Sequence, residues 1–181
     1  MNDILNQTER VSDIFTKIML KIMSSDLSVG ASEEITTAQV QAMRHIAQHG
    51  PCTIGSLAEG LSVSQPAATM LVDRMTKRDL VSRQPGKSDR RQAELSLTDH
   101  GRAVLEQVEA ERMEHLSGVL ALMSPEERDI FLHSLEQFIS AALKYEHVAY
   151  EACLRCGSDH SPDCIVNQMH LELSGKNVEK T

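Results

Sequence analysis

Apolar residues recur every three or four positions through the first segment, about Asn2 to Asp26. Ile4, Val11, Ile14, Phe15, Ile18, Met19 and Ile22 form one stripe, and Glu9, Arg10, Asp13 and Lys17 lie elsewhere around the cylinder. After a loop containing Gly30, Thr36 or Thr37 caps a second helix that runs to about His49, where Gly50-Pro51 stops it. Thr53 caps a short third helix with apolar positions Ile54, Leu57, Ala58 and Leu61. A tight break at Ser62-Val63 follows, and Ser64 caps a fourth helix with Pro66 in its first turn, where a missing N–H does no harm. The stripe of that helix is Ala68, Leu71, Val72 and Met75. The period then falls to two: "LVSRQ" and "QAELSLT" alternate like strands on either side of "PGKSDRR", with Gly86 for the reversal. Helical spacing returns after Thr98, which caps a long helix over about Asp99 to Met123 with Ala103, Leu105, Val108, Leu116, Val119, Leu120 and Met123 for burial. Ser124, Pro125 and Glu127 form a capping box that starts a last long helix, whose stripe is Ile130, Phe131, Leu135, Phe138, Ile139, Ala142 and Leu143.

Two helices joined by about three residues, followed at once by a hairpin, make a winged helix-turn-helix. The expected fold is therefore mostly α with a small β-hairpin: a winged lobe over residues 36–98, flanked by long helices at 1–35 and 99–150, with 151–181 as a Cys- and His-containing tail. The lobe needs only a small core. The surplus apolar stripes at both ends point to burial against a second copy of the chain, a homodimer, with a purely intrachain core as the plainer alternative.

Composition narrows the function. The chain has 181 residues, 41% hydrophobic and 24% charged, which suits one globular domain. Aromatic residues make up 3% and Trp is absent, which disfavours a stacking platform for single-stranded nucleic acid. No run of about eighteen apolar residues and no basic-then-apolar leader is visible, so no membrane partner and a cytoplasmic location are expected. The formal net charge is −8. Charge is nevertheless uneven: residues 74–102 hold eight basic and four acidic side chains, a local +4 on a chain that is otherwise −12. A single cationic segment on an acidic body fits a local grip on a polyanion.

Over "LSVSQPAATMLVDRMTKRDLVSRQPGKSDRRQAELSLTDHG" the chain resembles the MarR-type transcriptional regulators, with the match running from about Ile35 to Gly101. The Asp-Arg-Arg of the hairpin, the "L-x-L-T-x-x-G" leaving it and "LVDRMTKRDLVSR" before it carry the likeness. Asp79 stands where the family usually has Gly, and Asp tolerates a left-handed turn. The resemblance implies a winged-helix homodimer that binds pseudo-palindromic double-stranded DNA, usually as a repressor released by a ligand, an oxidant or a metal. It places the fourth helix in the major groove, presenting Ser64, Gln65, Pro66, Ala67, Thr69, Met70, Arg74 and Lys77. Gln65, Thr69 and Arg74 are candidates for bases or phosphates, and Ala67 and Met70 for thymine methyls. So short a set leaves much of the discrimination to DNA shape. Lys87, Arg90 and Arg91 reach phosphates or a narrow minor groove, and the resemblance has Asp89 orienting Arg91. It also implies an effector between the lobe and the terminal helices, but no residue identifies that effector.

The tail offers a second chemistry. Cys153, Cys156, His160 and Cys164 would complete a tetrahedral zinc site. Three thiolates would equally hold an iron–sulfur cluster with His160, Asp163 or His170, and Cys153 with Cys156 would make a redox-switched disulfide. An ordinary tail with unremarkable thiols is the fourth reading. His45 and His49, four apart, would face one metal with Glu33, Glu34 or His115, although a solvated helix face accounts for them more simply. Cys52 reads as a small apolar filler. No G-x-S-x-G, H-E-x-x-H, P-loop or dinucleotide fingerprint is present, so an enzyme is not expected. The rival readings are a metal-binding or redox-sensing interaction protein, or a small enzyme, without specific DNA binding.

Overall fold

The computed structural model describes residues 2–23, 28–29, 33–86, 93–146 and 164–175. Helix α1 (Asn2–Met23) is followed by a minimal antiparallel pair, β1 (Ser28–Val29) and β2 (Glu33–Glu34), and then by α2 (Thr37–His49). Next come β3 (Cys52–Thr53), α3 (Ile54–Leu61), α4 (Gln65–Lys77) and the hairpin strands β4 (Val81–Pro85) and β5 (Ala93–Leu97). Two 22-residue helices, α5 (Asp99–Leu120) and α6 (Pro125–Glu146), and a short α7 (Ile165–Ser174) complete the chain.

The expected caps are in place. The Thr36 hydroxyl accepts from the Gln39 N–H while the Gln39 side chain accepts from the Thr36 N–H, a closed capping box. Thr53, Ser64 and Thr98 accept from the N–H of Ser56, Ala67 and Gly101. Ser124 and Glu127 exchange bonds at 3.2 and 2.8 Å, which starts α6 where the sequence places it. Ser62, at φ 55, and Asp79, at φ 54, both take the left-handed conformation, so the tight break before α4 and the turn after it are made without glycine.

One core holds the lobe together. Val40, Met43 and Ile46 of α2, Leu57 of α3, Val72 and Met75 of α4, Leu80, Val81, Leu95 and Leu97 of the hairpin, and Val104 and Val108 of α5 form a single buried cluster. The sheet order is β3-β5-β4, antiparallel throughout, with Val81 opposite Leu97 and Cys52 opposite Leu95. The third strand, β3, is an addition to the expected hairpin. It ties the chain ahead of α3 to the wing.

The long helices differ from the sequence expectation in one respect. On α5 the buried positions are Gly101, Val104 and Val108, whereas Ala103 and Val119 are exposed and Leu105 is half-buried. The helix packs on the lobe through its first half only, so the lobe selects the face that carries Gly101. The apolar stripes of α1 and α6 remain largely uncovered within one chain: Ile4, Val11, Ile14 and Ile18 on α1, and Ile130 and Phe138 on α6, are exposed. Phe15 and Phe131 make a tilted ring contact at 6.1 Å between the two helices. Helix α7 packs on α6, where Leu143 and Asn167 are buried and Lys144 bonds Glu172 at 2.8 Å.

Candidate nucleic-acid interface

Helix α4 has two faces, because positions four apart share a side. Ala68, Val72 and Met75 are buried in the lobe core, and Pro66, Ala67, Met70, Asp73, Arg74 and Lys77 stand in solvent on the opposite side. Ser64 caps the helix at the same end and Gln65 is exposed beside it. Met70 is 57% exposed and Val63, just before the cap, 43%, so the outward face is part apolar and part cationic. Arg74 and Lys77 make no ion pair among the described residues. Thr69 is half-buried, and its hydroxyl donates to the Gln65 carbonyl at 2.9 Å. That leaves the Thr69 oxygen as an acceptor only, which narrows the role expected of it. A cleft of about 330 Å³, lined by Thr53, Ile54, Gly55, Gln65 and Ala93, opens where the starts of α3 and α4 meet the wing.

The wing is held at its base by contacts that no local sequence pattern announces. Arg83 of β4 donates to Asp73 of α4 at 2.5 Å, neutralising the one acidic side chain on the outward face of α4. At the root of the hairpin, Thr98 also donates to the Asp79 carbonyl and accepts from the Gly101 N–H at 2.9 Å, fastening the end of β5 to the turn before β4. Buried Gln39 reaches from α2 to the end of α4, accepting from Arg78 at 3.3 Å. The Asp73–Arg83, Asp79–Thr98 and Gln39–Arg78 partners are each ten or more residues apart in sequence, and so invisible to a reading by periodicity. Lys87, Asp89, Arg90 and Arg91, the tip of the wing, lie outside the described residues.

The histidine pair requires a correction. His45 and His49 were expected on a solvated face, but His45 is 7% exposed and its ring packs against Gly60 of α3, where a Cβ would lie 2.2 Å from the imidazole. The two rings sit 4.6 Å apart. Desolvation, with His49 alongside, lowers the His45 pKa to about 4, so this imidazole is neutral at neutral pH. Among the described residues no three His, Cys, Asp or Glu side chains come together to hold a metal. Cys52 is buried in the core, and burial pushes its thiol up to about 11, in keeping with a filler role. Of the four tail ligands only Cys164 is described, as the half-buried N-cap of α7; Cys153, Cys156 and His160 lie outside the described residues. No helix among those described is long and apolar enough to cross a membrane.

Comparison with known proteins gives a consistent answer. The MarR family model matches residues 35–93, the span from the end of β2 into the start of β5. The HTH-type transcriptional repressor MdtR of Bacillus subtilis is 30% identical over 129 residues, 71% of this chain and 81% of that protein. A MarR family protein from Bacillus stearothermophilus superposes with a TM-score of 0.68 at 22% identity, covering 78% of this chain and 97% of the other. A variant of MepR from Staphylococcus aureus, solved bound to an oligodeoxyribonucleotide, superposes at 0.56 and 18% identity over 74% of this chain and 96% of its own.

Proposed function

Since the chain belongs to the MarR family of transcriptional regulators and is not an enzyme, we propose that it is a homodimeric repressor that reads a pseudo-palindromic DNA duplex. The observation that carries this reading is the division of α4: one face is sealed in the lobe core, and the other offers Ala67, Met70, Arg74 and Lys77 to solvent, beside a hairpin whose base is fixed by Asp73 and Arg83. Such a face supplies apolar contact for thymine methyls and charge for phosphates or guanine edges. By the family resemblance, Lys87, Arg90 and Arg91 would supply further positive charge to phosphates or a narrow minor groove, with Asp89 orienting Arg91. Repression is supported by the name of MdtR, and duplex recognition by the oligonucleotide bound to the MepR variant.

The homodimer brings two such lobes to successive half-sites. It is supported by the uncovered apolar faces of α1 and α6, and by the cleft of about 650 Å³ between α1 and the far half of α5, lined by Ile22, Val119 and Leu122. The effector input is assigned to the tail, where Cys153, Cys156, His160 and Cys164 would bind zinc or an iron–sulfur cluster. Cys164 starts the helix that packs on α6, so a group bound there would act on the dimerisation region. Anaerobic purification with metal analysis and an absorption spectrum tests this assignment. Stoichiometric metal, with charge-transfer bands in the case of iron–sulfur, is expected; an empty protein would leave only thiol chemistry or a plain tail.

The DNA reading is tested by selecting duplexes from a random library with the dimer and then titrating salt. Replacing Arg90 and Arg91 by Ala is expected to weaken binding by about 1–3 kcal/mol each and to flatten the salt dependence by about one unit per lost phosphate contact. An unchanged salt slope in the double variant would remove the wing from the interface.

A further inference from the structure

Helix α5 belongs to two parts of the molecule. From Asp99 to Val108 its buried side is part of the lobe core; beyond Val108 none of its described residues is buried, and that half runs on towards α1 and the dimerisation region. The crossover is marked by a charge cluster. Glu109, immediately after Val108, accepts at one carboxylate oxygen from Nε of Arg44 on α2 and pairs at the other with Arg112 one turn on, at 3.2 Å. Arg44 is only 14% exposed and Glu109 32%. The Nη2 of Arg44 is buried with no hydrogen-bond partner among the described residues, so the guanidinium sits inside the α2–α5 contact with Glu109 as its counter-charge.

We infer that Arg44 and Glu109 form a latch, with Arg112 as its brace, that sets the angle between the lobe and α5 and thereby the spacing between the two recognition helices of the dimer; this rests on the dimeric DNA-binding reading above. A hydrophobic contact alone is non-directional and lets packed helices slide. A charge pair that uses both carboxylate oxygens fixes a direction. The leverage is large, because Leu120, at the far end of the half of α5 that leaves the lobe, lies about 17 Å along the helix from Glu109 at the usual rise per residue. A rotation of about 10° at the latch moves that end by about 3 Å, close to the rise of one base pair. The pair therefore acts as a positioning element for half-site spacing and touches no DNA itself.

The test uses the full-length protein and a duplex carrying the palindrome that the unaltered protein selects from a random library, together with versions having one base pair added or removed at the dyad. Glu109→Gln keeps the shape and removes the charge. Arg44→Met with Glu109→Leu replaces the pair by apolar groups of similar size, which commonly preserves stability. Assayed as folded dimers of unchanged mass, below the melting temperature that Glu109→Gln lowers by leaving Arg44 without its counter-charge, both variants are expected to shrink the discrimination between spacings from about tenfold or more to under threefold. The salt slope should stay constant, since no phosphate contact is lost. If the apolar pair fails to fold, Glu109→Gln alone carries the test. Unchanged discrimination in a folded variant that still binds the selected duplex overturns the latch and leaves the function standing. An unaltered protein that selects no duplex would overturn the function and, with it, the latch.

Discussion

Gly101 has no room for a side chain. A Cβ there would lie 2.0 Å from the Leu80 carbonyl oxygen and 2.8 Å from its carbon, backbone atoms that cannot swing aside. This explains physically the glycine that closes the "L-x-L-T-x-x-G" stretch: α5 must start in contact with the turn that precedes the wing. Gly101→Ala would gain up to about 1 kcal/mol of helix propensity and lose about 3 kcal/mol to overpacking. A net destabilisation of about 2 kcal/mol is therefore expected, read as a lower urea midpoint. His45 makes a second prediction at this scale. Its pKa is near 6.5 in the unfolded chain and about 4 in the fold, so between those values the unfolded state binds the extra proton. The stability due to a neutral His45 is complete above about pH 6.5 and is lost as the pH falls towards 4. Going from pH 7 to pH 5 should cost up to about 2 kcal/mol from this residue. His45→Gln should remove that part of the pH dependence in paired urea titrations, and an equally steep fall in the variant would show that the imidazole does not carry it.

At the scale of elements, the legible features were those that repeat or punctuate. The stripe of α4 was readable because Ala68, Val72 and Met75 keep helical spacing, and its start because Ser64 and Pro66 are cap and first-turn residues. The hairpin was readable from the alternation in "QAELSLT" and the Pro85-Gly86 turn ahead of it. Three strands were missed for the opposite reason: β1, β2 and β3 are each two residues long, too short to show any period. On α5 the expectation held in part, with Val108 buried but Gly101 and Val104 beside it in place of Ala103, and the cause was different. Several apolar stripes wind round that helix, and only the approach of Leu80 to Gly101 decides which one enters the core. Within the candidate site, the outward side chains of α4 followed directly from the buried ones. The Asp73–Arg83 tie did not, because a ten-residue separation between a helix and a strand has no local signature. That tie supports a prediction about the element it holds. Asp73→Asn should leave the fold intact, since the pair is largely solvent-exposed and so worth little in stability. It should nevertheless loosen β4 against α4, and duplex affinity should fall a few-fold even though one negative charge has been removed from the DNA side. A gain in affinity would mean that Arg83 serves phosphate better when released.

At the scale of the whole molecule the central problem is electrostatic: a chain of net charge −8 must approach another polyanion. Local charge solves it only if the acidic remainder is held away, and a dimer built on α1 and α6 would do that by turning the two lobes outward. One weakly held half-site per monomer becomes useful when two are linked, because the second contact is then intramolecular and raises affinity by about 10²–10⁴. Phe138 is suited to test the argument. It is 63% exposed on α6, outside the lobe core, so a charge placed there has little to disturb within the monomer. In a dimer closed through this face the same charge would be buried without a partner, at a cost of several kcal/mol for each subunit. Phe138→Asp is therefore expected to sediment as a folded monomer with an unchanged far-ultraviolet spectrum, and to bind the selected palindrome at least a hundredfold more weakly. Its residual binding should be the same for a whole palindrome as for a single half-site. If the variant stays dimeric with full affinity, the interface lies on another face, and the apolar stripe of α6 needs a different partner.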